Sequence, residues 1–177
     1  MMTKRSVLNA SDIDRALKRI AHEIVEANSG LENLVILGIP TRGVDLAKRL
    51  AGHLSEISAG ESVVFGILDI TLFRDDLATQ QRAVSPSSIP TDGIDDKVVV
   101  IVDDVLFSGR TVRAALDAIV SIGRPRQVKL AVLVDRGHRQ LPIRPDFVGK
   151  NLPTSIQERV FVHLTEPDGV DEVVIES

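Results

Sequence analysis

Short apolar runs and amphipathic stretches follow one another along this chain. Runs rich in β-branched residues, which predict buried strands, span residues 34–39, 63–73, 98–102 and 128–134. Apolar residues recur at helical spacing over residues 13–24, 44–54 and 113–122. Two further short runs, 159–164 and 172–175, are typical of edge strands. This order of elements predicts an α/β fold, with a mostly parallel, twisted sheet and helices on both of its faces.

Polar and turn-forming residues mark the ends of these elements. Ser11 and Asp14 have the spacing of a capping box, which predicts that the first helix begins there. The Pro-rich segment 141–150 is predicted to be irregular. The polar stretch 78–92 is longer than most loops of compact domains, so it predicts a lid or a disordered segment.

Four polar loops follow the predicted strands, at residues 40–43, 69–76, 103–111 and 135–139. In a parallel α/β sheet the carboxyl ends of the strands share one edge, and ligands bind there. The first loop, Thr41-Arg42-Gly43, offers backbone N–H groups and one guanidinium to an anion. That signal is weak by itself, but four loops at one edge predict a binding site.

The loop at 103–111 has the most specific chemistry. Two adjacent carboxylates, Asp103 and Asp104, end a strand, and a short loop with one glycine and two hydroxyl residues leads into a helix. The N-terminus of a helix favours an anion, whereas the carboxylates suit hydroxyl groups or a hydrated Mg²⁺. A purely structural strand and helix would not require this combination. A ligand with a phosphate at one end and a diol at the other is a sugar phosphate.

Composition limits the class of protein. The chain has 177 residues, 44% of them hydrophobic and 26% charged, which predicts one globular domain over residues 1–177. It has no Cys, so disulfides, thiol nucleophiles and thiolate metal sites are excluded. No apolar run approaches the roughly 20 residues of a membrane span, and no signal-peptide core follows the N-terminus. We therefore expect a cytoplasmic protein without a membrane partner.

Charge is unevenly distributed along the chain. The formal net charge is −4, yet residues 124–150 contain seven Lys/Arg and two acids, whereas residues 166–177 contain five acids and no base. Arg15, Lys18, Arg19 and His22 also share one face of the first predicted helix. These cations either form a solvated surface or bind an anionic partner. With no Trp or Tyr and five Phe, an aromatic platform for RNA bases is not expected.

The stretch 98–111 resembles the 5-phosphoribosyl-1-pyrophosphate (PRPP) signature of type I phosphoribosyltransferases. Five other segments resemble the PyrR family of pyrimidine-operon regulators and uracil phosphoribosyltransferases: 19–23, 38–43, 69–77, 134–144 and 148–155. The sequence Asp-Arg-Gly-His-Arg at 135–139, followed by Leu-Pro-Ile-Arg, is the most specific of these similarities. Phe107-Ser108 replaces the Tyr-Thr of many relatives, and Lys18 stands where Thr is frequent. The resemblance implies a type I phosphoribosyltransferase fold with a small irregular or β hood.

The resemblance also implies a dual function. Members bind pyrimidine-operon mRNA when UMP or UTP occupies the site, and they convert uracil and PRPP to UMP and pyrophosphate. Mg²⁺ is implied with PRPP, bound mainly through PRPP and not by a metal site of the protein. A homodimer or higher homo-oligomer is implied as well. Two alternatives stay open: a purine-base salvage phosphoribosyltransferase, and a catalytically silent RNA-binding regulator. A dinucleotide-binding oxidoreductase is disfavoured because no G-x-G-x-x-G follows a strand.

The resemblance assigns roles to particular residues. Asp103 and Asp104 are expected to bind the ribose diol, and residues 106–111 are expected to bind the 5′-phosphate. Arg42 and its neighbours are expected to face the pyrophosphate. The catalytic candidates are Asp103, Asp104 and Arg42. The implied PRPP and UMP contacts are Thr41, Arg42, Gly43, Arg74, Asp103, Asp104, Val105, Leu106, Phe107, Ser108, Gly109, Arg110, Thr111, Arg136 and Val160. The implied RNA contacts are Arg19, His22, Arg139, Arg144 and Lys150. No general base is assigned.

Overall fold

A computed structural model describes residues 3–76 and 87–177 of the chain. Its strands are β1 (Lys4–Asn9), β2 (Leu34–Gly38), β3 (Val64–Ile67), β4 (Val98–Leu106), β5 (Gln127–Asp135), β6 (Phe147–Asn151), β7 (Arg159–His163) and β8 (Glu172–Glu176). Its helices are α1 (Ala10–Asn28), α2 (Arg42–Ile57), α3 (Arg110–Ile122) and the short α4 (Thr165–Asp168), with a 3₁₀ turn at Thr71–Phe73. No helix in these described ranges is long and apolar enough to cross a membrane.

The central sheet has five strands in the order β3-β2-β4-β5-β6, and each neighbouring pair is parallel. This confirms the prediction of a parallel sheet. Strand β4 lies in the middle, and its apolar residues alternate between two hydrophobic clusters. Val98, Val100 and Val102 belong to the cluster that includes α1 and α2, whereas Val99 and Ile101 belong to the cluster that includes α3. Helices therefore cover both faces, as the unbroken apolar run predicts.

A second, antiparallel sheet of three strands, in the order β1-β8-β7, forms the hood. Its residues Val162, Val173 and Ile175 join the same hydrophobic cluster as α1 and α2. The short runs at 159–164 and 172–175 are strands, as predicted, but only β7 is an edge strand, because β8 pairs with β1 on one side and β7 on the other. Strand β1 was not predicted, because Leu8 is its one buried residue and its sequence shows no apolar alternation.

Some local predictions were wrong. Helix α1 begins at Ala10, and its capping box consists of Asn9 and Asp12 instead of Ser11 and Asp14: the Asp12 amide donates to Asn9 Oδ1 at 2.9 Å, and the Asn9 amide donates to Asp12 Oδ2 at 3.0 Å. The run at 63–73 is a strand only to Ile67. The segment 141–150, predicted to be irregular, contains most of β6.

The predicted lid lies mostly outside the described residues, since residues 78–86 are not among them. Its described end is held to the sheet. The amides of Ile67 and Ser88 each donate to the carbonyl of the other residue at 2.9 Å. The Ser87 hydroxyl accepts from the Asp69 amide at 2.9 Å. The segment therefore returns to the edge of the sheet next to the site.

Candidate active site

Two adjoining cavities open at the carboxyl ends of the central strands. The larger, of about 510 Å³, is lined by Ile39, Pro40, Thr41, Arg42, Asp69, Ile70, Thr71, Arg74, Asp103, Asp104, Val105 and Thr111. The smaller, of about 260 Å³, is lined by Arg74, Asp75, Asp76, Asp103 and residues 105–112. Asp103 lies in the wall of both cavities. Three of the four loops expected at this edge of the sheet thus converge on one site.

The carboxylate pair stands at the end of β4. Asp103 is buried, with 8% of its surface exposed, while Asp104 is half-buried. The Asp104 amide donates to Asp103 Oδ1 at 2.9 Å, and the Val105 amide donates to Asp104 Oδ1 at 2.8 Å. Burial, and next the charge of Asp104, raise the pKa of Asp103 well above its ordinary value. Two carboxylates this close, one of them desolvated, are poised to interact with a ligand that carries hydroxyl groups or positive charge.

The loop between β4 and α3 forms an anion seat. Gly109 precedes the first residue of α3 with φ +93°, a conformation that other residues adopt at a cost, and it provides no side-chain cap for the helix. The Arg110 amide donates to the Ser108 hydroxyl at 3.3 Å, so the other amide N–H groups of the first turn are the ones left for a ligand. The segment after β5 anchors this loop, because the Ser108 carbonyl accepts from the amides of Gln140 at 2.9 Å and Leu141 at 3.1 Å.

The helices differ in whether a side chain caps the N-terminus. Helix α1, which begins away from the cavities, has both hydrogen bonds of a capping box. Helix α2 begins after Thr41, which forms no side-chain cap, and α3 begins after Gly109, which has no side chain. The short α4 also lacks a side-chain cap, but among the three longer helices the two uncapped N-termini lie at the cavities, where an anion can replace the missing cap.

The second anion loop packs directly against β4. A Cβ atom on Gly43 would lie 2.6 Å from the Val102 carbonyl oxygen, and one on Gly38 would lie 2.4 Å from the Gly43 carbonyl oxygen. Glycine at both positions is therefore required by the close approach of the main chains. The peptide bond between Pro40 and Thr41 is cis. The close approach of Gly43 to β4 brings the start of α2 beside Asp103.

Arg42 lines the larger cavity and is also bound to the hood. Its Nε donates to Asp168 Oδ2 at 3.0 Å and its Nη2 donates to Asp168 Oδ1 at 2.7 Å. These hydrogen bonds, which Arg42 donates, raise the pKa of Arg42 and lower the pKa of Asp168. Two helical turns further on, Arg49 binds Glu166 and Asp171, and its hydrogen bonds lower the pKa of Asp171 to about 2. Two arginines of α2 thus pair with three acidic residues of the C-terminal segment.

The loop after the 3₁₀ turn brings further charges to the site. Arg74 forms a two-point ion pair with Asp76, with both N–O distances at 2.8 Å. Asp75 accepts from Arg110 Nη1 at 2.8 Å and from Arg113 Nη1 at 3.0 Å, so it connects this loop to the start of α3. The arginines expected to bind phosphates are therefore already paired with carboxylates.

Arg136 follows β5 and is buried, with 7% of its surface exposed. Its guanidinium carbon lies 4.2 Å from the centre of the Phe107 ring, and its Nη2 donates to the Ser155 carbonyl at 3.1 Å. Val160, in β7, packs with Val105 against the cluster that contains α1 and α2. Neither Arg136 nor Val160 belongs to the walls of the two cavities. Phe107, which does line the smaller cavity, connects Arg136 to it.

The residues expected to contact RNA differ in their surroundings. His22, Arg144 and Lys150 are exposed. Arg19 pairs with Glu23 at 2.9 Å and donates to the carbonyls of two β6 residues, so it lies beside Lys150 in that strand. Arg139 instead joins the segment after β5 to the loop after β4, through hydrogen bonds to Asp135, Ile143 and Phe107. The structure brings Arg19 and Lys150 together, and it gives Arg139 an internal role.

Sequence reasoning did not find several residues of the site. Asp69 and Thr71 line the larger cavity, Asp168 pairs with Arg42 of that cavity, and Asp75 pairs with Arg110 of the smaller one. Asp69 and Asp75 fall in a segment that resembles the family, which was the available signal. No sequence signal pointed to Asp168, because it is 126 positions from Arg42 and the two residues meet only when the hood packs on α2.

Comparison with known proteins agrees with this geometry. Residues 5–164 match the family described as the phosphoribosyl transferase domain. A protein of Leifsonia xyli named "Bifunctional protein PyrR" is 59% identical, with 99% of this chain and 98% of that protein covered. A protein of the same name from Streptomyces coelicolor is 62% identical, with 97% and 89% covered. The chain belongs to the PyrR family. The predicted membership of the PyrR family is thereby confirmed.

Solved structures of lower similarity share the fold of this PyrR family member. A hypoxanthine-guanine phosphoribosyltransferase from Bacillus anthracis has a TM-score of 0.73 at 16% identity, with 98% of each chain covered. A hypoxanthine phosphoribosyltransferase from Trypanosoma cruzi has a TM-score of 0.74 at 18% identity, with 98% of this chain and 91% of that chain covered. At these identities the likeness concerns the fold, and it confirms the predicted phosphoribosyltransferase architecture.

Proposed function

We propose that this protein has two linked activities. It regulates pyrimidine synthesis by binding pyrimidine-operon mRNA under the control of uridine nucleotides, and it is a uracil phosphoribosyltransferase that makes UMP and pyrophosphate from uracil and PRPP. The observation that carries the enzymatic proposal is the position of Asp103 and Asp104 between two uncapped helix N-termini. PRPP has the complementary order of groups, with a diol between two phosphate-bearing ends.

The residues then have the following roles. Asp103 and Asp104 bind the 2′- and 3′-hydroxyls and lie near the positive charge that develops on the ribose during transfer. The 5′-phosphate binds at the start of α3, through the backbone and hydroxyls of residues 108–111. Thr41, Arg42 and Gly43 face the pyrophosphate, and Arg74 joins them from the neighbouring loop. The protein thus contributes positioning and charge stabilisation.

Mg²⁺ fits this site as a companion of PRPP. Phosphoribosyltransferases generally use Mg²⁺ with PRPP, and the ion supplies positive charge that offsets the charge of the departing pyrophosphate. Asp69, Asp103 and Asp104 line the larger cavity with oxygen donors of the kind that Mg²⁺ prefers. Within residues 3–76 and 87–177, no group of three His, Cys, Asp or Glu side chains is arranged as a complete metal site. The phosphates of PRPP would therefore supply the remaining ligands.

The base specificity separates this proposal from a purine salvage enzyme. Incubation of the protein with PRPP and Mg²⁺ should give UMP and pyrophosphate when uracil is the base, and no nucleotide when hypoxanthine is the base. IMP formed from hypoxanthine would favour the salvage alternative. Binding of operon RNA in the presence of UMP, without UMP formation from uracil, would favour the catalytically silent regulator.

For the regulatory activity we propose an RNA surface formed by Arg19, His22, Arg144 and Lys150. Arg139 is retained as a residue that shapes this surface, because its donors are already bound to Asp135, Ile143 and Phe107. Recognition would depend on phosphate contacts and RNA shape. In a homodimer or larger homo-oligomer, two such surfaces could meet one RNA hairpin. The substrates and the operon mRNA would place both activities in the cytoplasm.

Replacing Arg144 by Gln tests this surface. We expect weaker binding of pyrimidine-leader RNA in the presence of UMP, and a slope of log K against log salt that is smaller by about one, because one phosphate contact is lost. Gel-shift titrations at several salt concentrations measure both quantities. Arg126→Gln is the matched control, since Arg126 is equally exposed but precedes the opposite end of β5. Equal affinities and slopes for the two variants would remove Arg144 from the surface.

We also propose that residues 1–177 form one phosphoribosyltransferase-like domain. The family match spans residues 5–164, and β1 pairs with β8 over Lys4–Asn9 and Glu172–Glu176. The two ends of the chain therefore contribute to the same hood sheet, which packs on the cluster around α1 and α2.

A further inference from the structure

Asp168 of the hood forms a two-point ion pair with Arg42, which lines the larger cavity. The two hydrogen bonds, at 3.0 Å from Nε and 2.7 Å from Nη2, occupy one edge of the planar guanidinium. No described residue accepts a hydrogen bond from the third nitrogen, Nη1. A guanidinium carries five N–H groups, so the remaining donors of Arg42 are available to an anion in the cavity.

The Asp168 carboxylate is itself held in one orientation. Its Oδ2 atom accepts from the Leu164 amide at 2.9 Å, and the Asp168 amide donates to the Leu164 carbonyl at 2.8 Å. Leu164 is fully buried in the hydrophobic cluster that includes α1 and α2. The side chains of Asp168 and Arg42 are 19% and 33% exposed, so solvent screens their ion pair less than one on the open surface. The orientation of the Arg42 guanidinium is therefore built into the fold.

Helix α2 has a second arginine that binds the same part of the hood. Arg49 donates to both carboxylate oxygens of Asp171 at 2.8 Å, and it also pairs with Glu166. Arg49 is not among the residues that line the two cavities. Both arginines attach the hood to α2, but of the two pairs the one between Asp168 and Arg42 reaches the site. A role of Asp168 beyond stability is therefore separable from the attachment of the hood.

Arg42 also feels the charge of a carboxylate within the site. The hydrogen bonds with Asp168 raise the pKa of Arg42 most, and the charge of Asp104, which lines the same cavity, raises it further. If Arg42 paired with Asp104, the cation would be withdrawn from the pyrophosphate and the carboxylate from the ribose diol. Asp168 opposes such a pairing, because it already holds Arg42 by two charge-assisted hydrogen bonds of good geometry.

On the basis of the proposed function, we infer that Asp168 is a positioning residue for the binding of pyrophosphate. It holds one edge of the Arg42 guanidinium, so that the opposite edge meets the pyrophosphate group of PRPP and Asp104 stays free for the ribose diol. Asp168 does not touch the substrate and acts through Arg42. The conformational entropy of the long Arg42 side chain is lost when the protein folds, so less is lost when the ligand binds.

Replacing Asp168 by Asn tests this role. Asn can still accept from the Leu164 amide, but it loses the charge and one of the two oxygen acceptors. We expect the Kd of pyrophosphate with Mg²⁺ and the KM of PRPP to rise about 10-fold, the size of effect expected for one charge-assisted hydrogen bond. The KM of uracil should not change. Asp171→Asn is the matched control, since it makes the same chemical change in the two-point pair with Arg49, and it should keep the wild-type constants.

A double-mutant cycle shows whether Asp168 acts through Arg42. Arg42→Gln should weaken pyrophosphate binding, and Asp168→Asn should then have no further effect in that background. Isothermal titration calorimetry with pyrophosphate and Mg²⁺ measures all four proteins without relying on turnover. Additive losses, or an equal loss in Asp171→Asn, would overturn the inference and leave Asp168 with a structural role. Unchanged or tighter binding by Asp168→Asn would overturn it as well. A wild-type protein that binds neither pyrophosphate nor PRPP would overturn the proposed function, and the inference with it.

Discussion

Replacing Asp104 by Asn is expected to lower kcat for UMP formation by about 100- to 1,000-fold. The carboxylate would accept from a ribose hydroxyl and face the positive charge that develops at C1′ in the transition state. Asn keeps the size and one oxygen acceptor, and it can still accept from the Val105 amide. What it loses is the negative charge, so the effect should be larger on kcat than on KM.

Steady-state rates of UMP formation with varied PRPP measure this effect. Asp117→Asn, on the exposed surface of α3, is a matched control that makes the same chemical change outside the site. The control should keep the wild-type rate. An Asp104→Asn variant with unchanged turnover would contradict the assignment of this carboxylate to the ribose diol.

Replacing Asp103 by Asn is expected to increase stability while it lowers turnover. Asp103 is buried next to Asp104, and its pKa in the folded protein is raised well above the ordinary value of 3.8. Below pH 3.8 the carboxyl group is neutral in both the folded and unfolded states, so the variant should match the wild type. As the pH rises, the unfolded chain ionises Asp103 freely, whereas the folded protein does so only at a cost.

The free energy of unfolding of the variant should therefore exceed that of the wild type by an amount that grows from about pH 4 and becomes constant above the folded pKa. We expect a gain of about 1–2 kcal/mol at that plateau. Urea unfolding at a series of pH values measures it, and Asp117→Asn should show no such pH-dependent gain. A difference that stays at zero across the series would mean that the buried carboxylate does not reduce stability.

These two carboxylates also show what the sequence could predict. The run Val98–Val102 is apolar at every position, so it identifies a strand buried on both faces, and the charges that follow must then lie at its end. Strand polarity and crossover rules place that end beside the loop at 41–43. The location of the site thus follows from local pattern and topology, before any side-chain contact is known.

Other features of the structure are not signalled by any local pattern in the sequence. Strand β1 buries only Leu8, and its pairing with β8 joins residues about 170 positions apart. The bond between Arg42 and Asp168 likewise depends on how the hood packs on α2. The start of α1 was missed by two residues because Asn9 and Ser11 are both good caps, and the choice between them is made by the partner three residues on.

Gly38 and Gly43 allow the main chains on either side of the site to pack in direct contact. The main chains of β2, the start of α2 and β4 meet where each glycine lacks a Cβ atom. In the proposed binding mode, the distance between the loop that faces pyrophosphate and the carboxylates that bind the ribose diol is therefore set by main-chain contact and does not depend on rotamers. A methyl group added at either glycine would push these main chains apart and change the length of substrate that fits between them.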